Sequence, residues 1–200
     1  MKSRVFIYLA LSVLILGCAS QLKQIKNPNT PFERPGFSIL PPPGDHWFYA
    51  DGEQAGVYNI YFGKKFDSKT HTLVALVSEN HGLTKFNSPE EFLNFVKKTM
   101  DLQTDPRRFK VQKDELDLDN KFGPYCVRYY TITEDHNPVY KGNAEYLNLE
   151  NYEYIFVHPN IENVMISVLY SERGNPDEID PNFDKTAERF FDGLKLKQAD

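Results

Sequence analysis

Three segments of this chain are apolar on both faces of a β-strand, which constrains the fold more than any other feature. The segments are residues 72–78, 125–132 and 164–170. In the last of them, Met165 and Leu169 alternate with apolar residues that face the other way. A strand with one face in water alternates apolar and polar residues instead. The pattern therefore predicts a sheet whose centre is covered on both sides.

Two other segments carry helical periodicity. Ser88-Pro89-Glu90-Glu91 is a capping box with proline at the first helical position, and it predicts a helix over residues 88–103. Residues 181–194 place four apolar side chains on one helical face, which predicts a second helix. These four are Phe183, Ala187, Phe190 and Leu194.

Most predicted strands are joined by connections that are too short for helical crossovers, which implies antiparallel pairing. The remaining strands are predicted at 37–40, 46–49, 57–62, 107–119 and 144–157. A turn is predicted at Asp51-Gly52, the segment 107–119 is expected to run from a strand into an acidic loop, and 144–157 is expected to break near Glu150-Asn151. The predicted fold class is α+β, a mainly antiparallel sheet covered by helices on both faces. This α/β/α sandwich is favoured over an arrangement in which both helices share one face.

The order of these elements resembles the Mog1/PsbP-like superfamily. The resemblance rests on Gly36-Phe37-Ser38-Ile39 leading through prolines to Trp47, on the capped helix, and on residues 164–171 followed by a polar loop and a final helix. It covers most of residues 36–196 as a pattern of elements. The resemblance implies a helix–sheet–helix sandwich and a non-enzymatic binding or assembly role, and it assigns no functional residue.

The first eighteen residues resemble the export signal of bacterial lipoproteins. A basic head containing Lys2 and Arg4 precedes twelve residues, 5–16, in which only Ser12 is polar. That run is too short to span a bilayer, which takes about 20 residues, and it suits a signal peptide. It ends in Ile15-Leu16-Gly17-Cys18, which resembles a lipobox. The resemblance implies cleavage after Gly17 and lipid on Cys18.

These features divide the chain into three parts. Residues 1–17 are the predicted signal peptide, residues 18–35 the lipidated cysteine with a flexible tether rich in proline and polar residues, and residues 36–200 one globular domain. Ala19 follows the cysteine where aspartate would be the inner-membrane signal in this class, so the outer membrane is expected rather than the inner one.

Charge argues against nucleic acid as a partner. The full chain has a net charge of -5. Removal of the signal peptide leaves 21 basic and 28 acidic residues, a net charge of -7. Nucleic-acid binding instead favours a basic face.

No residue pattern predicts a catalytic, cofactor or metal site. The histidines are scattered at 46, 71, 81, 136 and 158, without the close spacing typical of zinc ligands. The acidic run 114–120 lacks the glycine and distant glutamate of a calcium loop, so a solvated strand edge or turn is expected. Cys126 lies within a strand, where a buried inert thiol is expected rather than a nucleophile. Tyr152 and Tyr154 share a strand face, which favours the core over an exposed binding surface.

The sequence thus predicts a lipoprotein that acts as a non-enzymatic binding or assembly module in the bacterial envelope. Its expected partners are the membrane, through Cys18, and an envelope protein. An envelope hydrolase or carbohydrate-binding protein with an unrecognised site is the alternative, and it requires a deep pocket with converging polar groups.

Overall fold

The computed structural model of the protein describes residues 22–54, 56–101 and 105–198. In chain order its strands are β1 (Lys23–Gln24), β2 (Phe32–Glu33), β3 (Phe37–Ile39), β4 (Trp47–Gln54), β5 (Val57–Lys64), β6 (Thr72–His81), β7 (Phe109–Asp119), β8 (Cys126–Asp135), β9 (Leu147–Val157), β10 (Val164–Gly174) and β11 (Leu194–Leu196). Its helices are α1 (Pro89–Asp101) and α2 (Phe183–Phe191). The predicted signal peptide and Cys18 lie outside the described residues.

Eight strands form one antiparallel sheet in the order β1-β4-β5-β6-β10-β9-β8-β7. It consists of two meanders, β4-β5-β6 and β7-β8-β9-β10, which join where β6 pairs with β10. Helix α1 connects the two meanders along the chain. A smaller sheet has the order β11-β3-β2.

Helix α1 begins as the capping box predicts. The backbone N–H of Glu91 donates to Oγ of Ser88 at 3.2 Å, and the carboxylate of Glu91 accepts from the backbone N–H of Asn87 at 2.7 Å. Phe92, Val96 and Met100 are the buried residues of the helix. They pack on Val127, Ile155 and Met165, and so cover the end of one sheet face.

Helix α2 packs on the opposite face of the same strands. Phe183, Ala187, Phe190 and Phe191 form one core cluster with alternate residues of the central strands. Among these strand residues are Tyr152, Tyr154, Phe156, Ile166, Val168 and Tyr170. The small sheet contributes Phe37 and Ile39 to this core, and both are fully buried.

The predicted α/β/α sandwich, with helices covering both faces of the sheet, is wrong. The fold is mostly antiparallel β-sheet: strands make up 45% and helices 13% of the described residues. Two helices of 13 and 9 residues cannot form the outer layers over eight strands. The small sheet β11-β3-β2 covers part of the α2 face instead. On the α1 face, residues of β5 and β6 such as Tyr61, Val74 and Leu76 remain only half-buried.

Part of the predicted tether belongs to the domain. Lys23 pairs with Tyr49 at the edge of the large sheet, and Phe32 pairs with Ile39 in the small one. The ring of Phe32 also packs against Phe62 at a centroid distance of 5.2 Å. Residues 23–24 and 32–33 are therefore strands rather than irregular linker.

Several local predictions also need correction. Gly52 lies within β4 opposite Asn59, and the hairpin closes at Gly56, whose φ of +78° favours glycine. Strand β9 runs unbroken through Glu150-Asn151, and the acidic run lies almost entirely in β7. Helix α2 ends at Phe191, so that Leu194 begins β11.

Candidate binding groove

An open groove of about 430 Å³ lies at the end of the sheet where β6, β8 and β9 meet three loops. Residues 83–86 and 159–163 line two of its sides, and Pro124, Tyr125 and Val157 line the rest. Apolar surface prevails over polar surface in this lining. Its volume falls in the range of small-molecule and side-chain pockets, roughly 300–1,000 Å³.

His158 holds one wall of the groove in place. Its Nε2–H donates to the carbonyl oxygen of Gly36 at 2.8 Å, and its Nδ1 accepts the backbone N–H groups of Asn160 and Ile161, each at 3.1 Å. The residue is 3% exposed. Nε2 therefore carries the proton and joins the β9–β10 hairpin to Gly36, and Nδ1 is the acceptor within the hairpin, since a carbonyl can only accept and an amide N–H can only donate.

The facing wall is fastened to the same hairpin. The backbone N–H of Leu83 donates to the carbonyl oxygen of Asn163 at 3.0 Å. Gly82 and Asn163 have φ values of +84° and +60°, which turn the chain tightly on either side of this bond. Phe86 and Tyr125 pack beneath the groove, against the buried residues of α1. The groove is thus preformed, which lowers the entropy cost of binding.

The charges of the groove lie at its rim. Nζ of Lys85 is 3.6 Å from Oε1 of Glu162, and both side chains are more than three-quarters exposed. An exposed pair of this kind contributes little to stability and exchanges readily for a charge on a partner. The arrangement fits non-covalent binding of an apolar group with a polar or charged edge.

The other four histidines, at positions 46, 71, 81 and 136, have separate neighbours. Three of them pair with a glutamate: His71 with Glu172 at 2.6 Å, His81 with Glu79 at 2.6 Å and His136 with Glu134 at 2.9 Å. His46 is exposed, with a φ of +66°. No group of three or more His, Cys, Asp or Glu within residues 22–54, 56–101 and 105–198 is arranged to hold a metal ion.

A polar cluster that the sequence did not predict lies at the opposite end of the sheet. The hydroxyls of Ser68 and Thr70 donate to the carboxylate of Glu178 at 2.5 and 2.7 Å. Beside them, His71 contacts buried Glu172 and stacks on Phe66 at a centroid distance of 3.7 Å. Because both hydroxyls bond to Glu178, the cluster fastens the β10–α2 connection to the β5–β6 loop.

A second unpredicted network joins α2 to the large sheet. The hydroxyls of Tyr152 and Tyr154 donate to the carboxylate of Glu188, and Lys121 donates to Glu188 and Asp192 at 2.6 Å each. The position of both tyrosines in the core confirms the interpretation of residues 152 and 154 as core rather than surface. Their alternation in β9 predicted that outcome, but their polar partner could not be found from sequence.

Glu153 is a buried acid in the middle of β9. It is 3% exposed, and its Oε1 has no hydrogen-bond partner among the described residues. Ser167 is its diagonal neighbour on the same sheet face. Burial raises the pKa of Glu153 to about 8. The side chain is therefore a neutral acid at pH 7.

Cys126 and the acidic run 114–120 carry no reactive geometry. Cys126 is fully buried and free, and burial raises the pKa of its thiol to about 12. This confirms the buried, inert thiol that the sequence predicts. In β7, Glu115 pairs with Lys113 at 3.1 Å and Asp117 with Arg128 at 3.4 Å. Those carboxylates follow an exposed strand edge and are paired with lysine and arginine side chains.

Comparison with known proteins assigns no family to this chain. Its sequence matches no protein-family model, and it has no significant match among curated proteins. The resemblance to the Mog1/PsbP-like superfamily therefore stays a prediction. Within the described residues, neither helix has the length and apolar character needed to cross a bilayer.

Proposed function

We propose that this chain is a lipid-anchored, non-enzymatic binding module of the bacterial envelope, whose partner inserts an apolar group into the groove. The anchor is lipid on Cys18, supported by the short apolar run that ends in Ile15-Leu16-Gly17-Cys18. The outer membrane is favoured because Ala19 follows the cysteine.

The observation that carries the binding role is the preformed groove with mainly apolar walls. Among the titratable side chains that line it, His158 already uses both ring nitrogens in structural hydrogen bonds, and Lys85 and Glu162 pair with each other at the exposed rim. A general base needs a free nitrogen in reach of the substrate. The groove chemistry thus favours recognition over hydrolysis.

The anchor is tested by replacing Cys18 with serine. The parent protein should fractionate with membranes, and the Cys18→Ser variant should be released because the acyl chains that hold it are lost. Mass spectrometry of the mature amino-terminal peptide gives a direct readout. An unmodified Cys18, or cleavage at another bond, contradicts the proposal.

The groove is tested by filling it. Thr84 is an exposed lining residue, so Thr84→Trp should occlude the groove without disturbing the core. Lys97→Trp, on the exposed face of α1, is the matched control. An envelope partner captured in detergent by the parent and by Lys97→Trp, but not by Thr84→Trp, supports the groove. Equal capture by all three variants argues that the partner binds elsewhere.

A further inference from the structure

The loop between β8 and β9 carries the most exposed apolar side chain of the described residues. Val139 is 99% exposed and Tyr140 is 49% exposed. Single exposed apolar residues are ordinary on protein surfaces. Here, however, a fully exposed aliphatic residue and an aromatic residue stand together, flanked by lysines, a composition typical of membrane–water interfaces.

The loop is held in shape. The backbone N–H of Ala144 donates to the carbonyl oxygen of Lys141 at 3.1 Å, and Nζ of Lys141 donates to the carbonyl oxygen of Glu145 at the same distance. Nζ of Lys69, from the β5–β6 loop, lies 5.7 Å from the centroid of the Tyr140 ring. Val139 therefore projects from a folded turn, which is held by contacts within the loop and by Lys69 of the β5–β6 loop.

This loop lies at the end of the sheet opposite the groove. In the β8–β9 pair, Asp135 faces Leu147 at the loop end, and Cys126 faces Phe156 at the groove end. Eleven residues of β9 separate the two ends, which corresponds to roughly 35 Å at about 3.3 Å per residue. A contact at one end leaves the other end accessible.

The described chain begins close to the loop end of the sheet. Lys23 pairs with Tyr49, two residues from Trp47, where β4 begins, and the antiparallel pairing directs the chain before Lys23 away from that end. Cys18 precedes Leu22 by four residues, which span at most about 14 Å, enough to return the anchor to the loop end. Trp47 faces Lys64 at the same end of the sheet as the β5–β6 loop that contacts Tyr140.

We infer that Val139 and Tyr140 insert into the headgroup region of the bilayer to which Cys18 is anchored, with Lys69 and Lys141 among the lipid headgroups. Asp67 and Glu145 share this end of the protein, so the contact depends on the apolar and aromatic side chains rather than on a strong basic field. The lipid fixes the position of the domain, and this second contact fixes its orientation. The groove then faces away from the membrane, toward a partner. This inference rests on the proposed lipid anchor.

A spin label placed at residue 139 tests the inference. In the lipidated Val139→Cys protein, Cys18 is blocked by its thioether and Cys126 is buried, so the label attaches at 139. The protein is reconstituted in vesicles of phosphatidylethanolamine and phosphatidylglycerol. Collisions of the label with a water-soluble nickel chelate should fall, and collisions with oxygen should rise, relative to the unlipidated Cys18→Ser, Val139→Cys protein in buffer. A label in Lys85→Cys, at the groove rim, should stay accessible to nickel in both.

The outcomes separate this inference from the proposed function. Protein that stays on vesicles while the label at 139 remains accessible to nickel overturns the bilayer contact and leaves the anchor intact. Protein that does not stay on vesicles overturns both. Shielding at 139 that requires added envelope protein, and does not occur with lipid alone, overturns the bilayer contact in favour of a protein contact.

Discussion

Nε2 of His158 lies 2.8 Å from the carbonyl oxygen of Gly36, 122 residues earlier in the chain. The bond joins the hairpin that walls the groove to the segment that enters β3. A side chain at Gly36 would crowd this contact, because its Cβ would lie 3.1 Å from Cδ1 of Ile161 and 3.4 Å from Nε2 of His158. The shape of the groove thus depends on a long-range contact between one imidazole and one glycine.

Replacing His158 with alanine should loosen this wall. The change leaves one carbonyl and two backbone N–H groups without their partner, and each unsatisfied buried group costs about 1–3 kcal/mol. We expect the free energy of unfolding to fall by about 3 kcal/mol and the amides of Asn160 and Ile161 to exchange faster with solvent. Lys85→Ala, on the exposed rim, is the control and should change neither quantity. Unchanged amide exchange in His158→Ala would show that the imidazole does not hold the hairpin.

A second prediction concerns the ion pair at the loop end of the sheet. Arg108 donates two hydrogen bonds, of 2.8 and 2.7 Å, to the fully buried carboxylate of Asp135. Arg108→Ala leaves Asp135 with the longer contact to Arg173, at 3.5 Å, and removes two charged hydrogen bonds, so it should lower the free energy of unfolding by about 2 kcal/mol in denaturant titrations. Arg107→Ala is the matched control because Arg107 pairs with Asp105 on the exposed surface, and it should have little effect. Equal effects of the two variants would contradict this account.

The same pair should make the protein sensitive to acid. Burial alone would raise the pKa of Asp135, but the hydrogen bonds from Arg108 outweigh it and lower the pKa below its ordinary value. A lowered pKa in the folded state gives stability that is present above the unfolded pKa of about 4 and is lost as the pH falls below it. Thermal unfolding of Asp135→Asn between pH 5 and pH 2 should therefore depend less on pH than that of the parent.

Local sequence patterns predicted most of the helices and strands but not which elements cover the faces of the large sheet. The capping box at 88–91 gave the start of α1 correctly, and the doubly apolar segments became β6 and β10 at the centre of the sheet and β8 beside its edge strand. The prediction of an α/β/α sandwich, with helices as both covering layers, was wrong because a strand with two apolar faces does not reveal what covers them. The small sheet β11-β3-β2 covers part of one face, and its strands are too short to show an apolar–polar alternation in the sequence.

The groove could not be predicted from the sequence because its lining comes from three separate parts of the chain, residues 83–86, 124–125 and 157–163. None of these segments has a distinctive motif, and only the pairing of β6 with β10 and of β8 with β9 brings them together. Glu153 was missed for a related reason. It lies between two core tyrosines, where alternation predicts an outward side chain, yet only 3% of it is exposed.

Cys126 offers a probe of global unfolding. Because the thiol is buried and its pKa is raised to about 12, it should not react with iodoacetamide at pH 8 in the folded protein. In the Cys18→Ser background it is the only thiol, and it should be modified at the rate of unfolding. Val139→Cys in that background is the positive control and should react at once. Rapid alkylation of Cys126 under native conditions would show that the core opens locally near β8.

Glu153 should make the protein less stable as the pH rises. Burial raises its pKa to about 8 in the folded state, against about 4.3 in the unfolded chain. Between these values the folded state holds a proton that the unfolded state releases. The stability due to this group is therefore fully present below about pH 4 and is lost as the pH rises through 8.

Glu153→Gln keeps the shape of the neutral acid without its titration, so its free energy of unfolding should be close to that of the parent at pH 5 and higher at pH 9. Glu150→Gln is the comparison, since burial raises the pKa of Glu150 as well but Tyr130 donates a hydrogen bond to its carboxylate; it should gain less stability at pH 9 than Glu153→Gln. The same difference in stability between Glu153→Gln and the parent at pH 5 and at pH 9 would contradict the raised pKa of Glu153.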